Sequence, residues 1–221
     1  MSTHVPMQSG IAPASGPAFG TMSLALVLAV WLLAVSLLGA RGAFFGAPGT
    51  PPLALLVAFA VPLLVFSIAL RASGAFRAFA LGVDPRVMLS MQAWRFAGFG
   101  FLALQAHAIL PAYFAWPAGV GDMAIGLTAP LLIAVLNRRP EFASSSGFVV
   151  WNLLGVLDLV VAVSLGAVGS FLLARADTTI TTIPMAGMPL VLIPAFLVPL
   201  FLMMHITALM QARERTRVAH A

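Results

Sequence analysis

Two aspartates lie inside long apolar runs of this chain. Asp122 sits in "PAGVGDMAIG" and Asp158 in "LLGVLDLVVA". Each completes the pattern G-V-x-D, and each has a small residue four places on, Gly126 and Ala162. A carboxylate in hydrocarbon costs about 2.5–3.5 kcal/mol on insertion scales, so such acids face a bundle interior or a water-filled cavity and mark paths for protons or solutes. Arg95, His107, Asn152 and His205 lie in similarly apolar surroundings. Together these six residues are the candidate site. The acids can take up and release protons, Arg95 can neutralise one of them, and the histidines can shuttle a proton or ligate a metal or haem.

The positions of these groups depend on the elements that carry them. Of 221 residues, 62% are hydrophobic and 8% charged, against about 25% charged in soluble domains. The mean hydropathy is +1.08. So apolar a chain cannot clothe a water-facing surface, and its expected solvent is lipid. The fold class predicted is an all-α integral membrane bundle of six transmembrane helices at 21–40, 52–70, 88–110, 118–136, 148–169 and 189–211, each near the 20 residues that a crossing requires. Residues 1–20, rich in Pro, Gly and Ser, read as a disordered tail without the basic n-region of a cleavable leader. Residues 212–221 read as a basic cytoplasmic tail. Between the second and third spans, Phe76, Phe79 and Ala80 are spaced for a short amphipathic helix.

All basic residues are arginine, and their placement predicts the threading. Arg71, Arg77, Arg86, Arg138, Arg139, Arg213, Arg215 and Arg217 fall on one side, and only Arg41 and Arg175 on the other. The positive-inside rule puts the first group, and with it both termini, in the cytoplasm. The expected location is a bacterial-type inner membrane. The net charge of +5 then reflects topology, and no nucleic-acid partner is expected. Tyr113 and Trp116 are expected in an outer aromatic belt and Trp151 in an inner one.

At about 1.5 Å per residue, these spans place Arg95, Asn152 and His205 toward the cytoplasm, Asp158 near mid-membrane, and His107 with Asp122 toward the outer surface. Arg95 and Asp158 are then close enough in depth to pair, and Asp122 is expected beside His107. The histidines, about 20 Å apart along the membrane normal, should not share one haem iron. Gly119, Asp122, Gly126 and Ala129 form one stripe, and Gly155, Asp158 and Ala162 another, so each acid should face a neighbouring helix across a seam of small residues. Pro194 and Pro199 should bend the last span.

Cysteine is absent. The chain shows no P-loop, dinucleotide fingerprint, HExxH or G-x-S-x-G, so the reading leans away from an enzyme and expects no cofactor and no metal site. The leading functional expectation is a small secondary transporter or channel-like protein whose intramembrane acids handle protons. The alternatives are a structural or accessory subunit, in which the polar groups only clip helices together, and a haem or metal redox protein using His107 or His205. The expected partners are the lipid bilayer and a second copy or another membrane subunit.

Overall fold

The computed structural model describes residues 18–47, 50–171 and 180–219. Arg175 and nearly all of the N-terminal tail lie outside the described residues. The described residues form helices and no strand. The helices are α1 (Ala18–Ala40), α2 (Leu53–Ala72), α3 (Gly74–Gly82), α4 (Pro85–Ala93), α5 (Phe99–Ala106), α6 (Ala112–Arg138), α7 (Ser146–Phe171) and α8 (Val198–Ala219). A 3₁₀ turn, Trp94–Gly98, joins α4 to α5 in one rod, and a π turn, Ile193–Leu197, leads into α8. Among the described residues, six helices are long and apolar enough to cross a membrane: Gly20–Ala40, Leu53–Ala72, Pro85–Ala106, Ala112–Arg138, Ser146–Gly169 and Ile193–Arg217. The chain is therefore compatible with a multi-pass membrane protein.

The helix boundaries differ from the sequence expectation at three places, each for a local reason. α6 begins six residues early, because Pro111 caps it in extended conformation and the helix then runs through Pro117 and Pro130. The third long helix ends at Ala106, where Ala108 turns to φ 55, so His107 is a helix cap and not a span residue. The last helix does not start at Pro189, which follows a cis bond in a turn, but at the π turn. There Pro194 has no N–H to donate, and Val198 N–H reaches five residues back to Ile193 O.

Burial separates the long helices into centre and rim. The last long helix is the most deeply buried of the six, whereas α2 has no buried residue. α6 packs against the α4–α5 rod and α7, α8 packs against α7 and α2, and α1 leans on the π turn. One end of the bundle is tied by polar contacts. Gln211 Nε2 donates to Ala80, Leu81 and Val83 carbonyls, closing α3 onto α8. Arg77 pairs with Glu214 at 2.6 Å, and Arg86 reaches Asn137 and the Leu136 carbonyl at the end of α6. The α2–α4 connection, the α6–α7 loop and the end of α8 thus share one pole. Phe45 and Gly187 meet at the other. The short helix expected after the second span is α3, with Phe76, Phe79 and Ala80 turned inward and Arg77 outward.

Candidate functional site

Arg95 lies in the 3₁₀ turn at the middle of the α4–α5 rod, 3% exposed. Close backbone contact brings α6 to it. A Cβ on Gly126 would strike the backbone of Arg95 and Phe96, and one on Gly119 would come within 2.9 Å of Gly98 O. Only glycine permits this crossing, and it brings Asp122, one turn before Gly126, level with the guanidinium. For Asp158 on α7 the room is made by the facing helix, where Gly121 of α6 leaves the space that its carboxylate occupies, while Gly155 of α7 leaves the space of the His205 ring of α8. Each acid therefore faces a neighbouring helix across small residues.

The side chains converge on one guanidinium. Arg95 Nε donates to Asp122 Oδ1 at 2.7 Å, and Nη2 donates to Asp158 Oδ2. Nη1 donates to Gln92 Oε1 at 3.4 Å and lies 3.1 Å from His205 Nε2. The guanidinium can only donate, so His205 Nε2 accepts. Its proton is then on Nδ1, which donates to Asn152 Oδ1 at 2.9 Å, and the Asn152 amide donates on to Phe148 O. This chain of donors makes His205 a neutral imidazole. Gln92 is fixed in turn by donating to Phe201 O, and the Phe201 ring lies 5.9 Å from Arg95 Cζ. Helices from the α4–α5 rod, α6, α7 and α8 all contribute.

One charge is left over. Two carboxylates face one guanidinium and a neutral histidine, so the ionised cluster carries a net −1. The site therefore calls for one proton or one external cation.

Five of the six sequence candidates are brought together: Arg95, Asp122, Asn152, Asp158 and His205. His107 is exposed at the end of α5 and takes no part. The expected pairing of Asp122 with His107 is thus corrected to Asp122 with Arg95. The cause is the early start of α6, which puts Asp122 about 9 Å farther from the beginning of its helix than the sequence reading placed it. Trp151 is also corrected. It is 9% exposed, packs 5.5 Å from the His205 ring and donates to Thr128 Oγ1, so it is a core residue and not a belt anchor. Trp116, at 54% exposed, does stand on the surface. Gln92 was outside the candidate set, although its position three residues before Arg95 puts both on one helical face.

Two apolar cavities meet at Asp122. The smaller, about 90 Å³, runs from Phe45, Thr50 and Ile183 at the loop pole to Asp122, between α2, α7 and the π turn. The larger, about 430 Å³, is a groove between the α4–α5 rod and the π turn, with Trp94 on its rim and Arg95 and Asp122 on its floor. They share Phe101, Asp122, Leu159, Ile193 and Val198. Both His205 nitrogens are engaged by protein partners, and the lone pair on Nε2 is turned to Arg95. Among the described residues no group of three His, Cys, Asp or Glu side chains could hold a metal ion.

A family model described as Domain of unknown function (DUF8737) matches residues 52–213, well over half of the chain. The chain belongs to this family. The matched DUF8737 region runs from the start of α2 almost to the end of α8 and contains the whole Arg95 cluster, while α1 precedes it. No curated protein and no solved structure matches the chain.

Proposed function

We propose that this protein is a small multi-pass membrane transporter in a bacterial-type inner membrane, with both termini cytoplasmic, in which the Arg95–Asp122–Asp158 centre exchanges a proton as part of moving a solute. The observation that carries the reading is the unequal charge count at a buried site: two carboxylates share one guanidinium, and one of them, Asp122, also lines both cavities. Asp158 lines neither. Asp122 is therefore the exchanging acid, Asp158 its fixed counterpart, and Arg95 the charge that both compete for. The 3₁₀ turn beneath Arg95 and the π turn beside the cavities are departures from regular helix of the kind found at hinges and functional sites. The orientation rests on the arginine distribution, since the pole joined by Arg77, Arg86, Gln211 and Glu214 is the Arg-rich one.

The test is infrared difference spectroscopy of the purified protein across an acid-to-alkaline series, reading the carbonyl stretch of a protonated carboxyl. One titrating carboxyl is expected in the wild type. It should vanish in both Asp122→Asn and Asp158→Asn, because either change restores one acid to one base. A carboxyl band that is the same in wild type and both variants would sink the proton reading.

A second reading, a static clip between helices, is favoured by the engagement of Gln92, Asn152 and His205 with protein partners. It predicts no carboxyl titration.

A further inference from the structure

We propose that the junction of the two cavities at Asp122 binds a lipophilic organic monocation, in exchange for the proton. The inference rests on the proton-exchange reading and names its substrate class. Three observations converge. The ionised cluster has one uncompensated negative charge, and the carboxylate nearest the cavities is Asp122. Apart from Arg95, which is engaged by both acids on the floor of the larger cavity, and Thr50 and Thr182 in the smaller, the walls are apolar and strongly aromatic: Phe59, Phe101 and Phe114 line the smaller cavity, and Trp94 and Phe201 the larger. Aromatic faces attract cations, and most strongly those that shed their water easily. The larger cavity, at about 430 Å³, falls in the range of ligand sites, about 300–1,000 Å³. It opens on the side of the bundle beside the exposed Trp94. An apolar ligand can therefore enter laterally with its charge led to Asp122.

The sign of the ligand follows from what surrounds Asp122. The charged and titratable groups facing it are Arg95 from the α4–α5 rod and Asp158 from α7, with His205 from α8 reached through Arg95. The residues of α2 and of the loop pole that line the cavity contribute none. A proton and a monocation each bring the total to zero. Both together overshoot, so each displaces the other, which is the linkage an exchanger needs.

Calorimetry on the full-length protein in detergent tests this with benzyltrimethylammonium, its uncharged isostere neopentylbenzene, and benzenesulfonate. The cation should bind at least about tenfold more tightly than either comparator, a discrimination of about 1.4 kcal/mol. Its affinity in wild type should fall about tenfold per pH unit on the acid side, as one proton competes with one cation. Asp122→Asn should abolish both the binding and its pH dependence. Gly100→Phe, which narrows the larger cavity from a position with nothing within 4 Å of the missing Cβ, should weaken binding at least about tenfold while the melting temperature holds. Equal binding of neopentylbenzene, pH-independent binding, or no binding of the cation would each overturn the proposal. If the carboxyl titrates but the cation does not bind, the substrate class fails and the proton reading stands. If the cation binds without a titrating carboxyl, the proton reading fails.

Discussion

Arg95 is a single positive charge asked to serve two acids, so its removal and its partners' removal should have different effects. Arg95→Met leaves two largely enclosed carboxylates with no counter-charge. Breaking a buried pair in this way costs about 3–5 kcal/mol, and thermal unfolding in detergent should show a large loss. Part of it should return in Arg95→Met/Asp158→Asn, since the double variant buries one fewer orphan charge; a double-mutant cycle measures the coupling. Asp122→Asn should behave differently. With Asp158 still paired to Arg95, the melting temperature should hold or rise, as expected of a working group retained against stability. If Asp122→Asn instead unfolds the protein as readily as Arg95→Met, the acid is structural. The pairing of Arg95 with Asp158 could be inferred from depth alone. The part played by Asp122 could not, because the fourth span was expected to begin at 118, and the helix is capped at Pro111. Four residues at the end of the third long helix were likewise enough to move His107 out of the site.

Among the elements, the crossing of α6 over the 3₁₀ turn decides whether the site exists. Gly126→Ala places a methyl against the Arg95 and Phe96 backbone, which cannot yield as a side chain would. Overpacking of this kind costs about 1–3 kcal/mol, so the melting temperature should fall and the infrared carboxyl signal should shift with it. Gly100, on the same rod, has nothing within 4 Å of its missing Cβ. Gly100→Ala should be neutral or gain up to about 1 kcal/mol from helix propensity, and a comparable loss at both positions would refute the close-crossing account. The small-residue seams were legible in the sequence because three- and four-residue spacing marks a helical face. The 3₁₀ and π turns were not. Proline spacing announced a disturbance near Pro194 and Pro199 without giving its form, and nothing in "WRFAG" distinguishes a tightened turn from ordinary helix.

For the whole molecule, the six long apolar helices could be read from hydropathy because lipid leaves so few alternatives for a chain this apolar. Their arrangement could not, since neither hydropathy nor helix order tells that the last helix is central and α2 peripheral. The absence of cysteine makes the proposed threading directly measurable. Single cysteines at Ser73 and Ser145 should react with an impermeant thiol reagent only from the cytoplasmic side, and one at Thr50 only from the outside. Labelling of all three from one side would refute the six-crossing topology.

The order in which the cluster's members leave the ribosome has a consequence for biogenesis. The third long helix has the lowest hydropathy of the six, 1.3, and carries Arg95. On the proposed membrane reading, it meets the insertion machinery before Asp122 and Asp158 have been synthesised, so its guanidinium has no counter-charge when it first needs one. Stable partition of this helix must await α6 and α7, which arrive bearing the acids. Chains truncated after Leu110 should therefore leave the third helix largely uninserted in a glycosylation-mapping assay, whereas chains extended through Phe171 should insert it. The ion pairs that hold the finished bundle together would thus also act as its assembly signal.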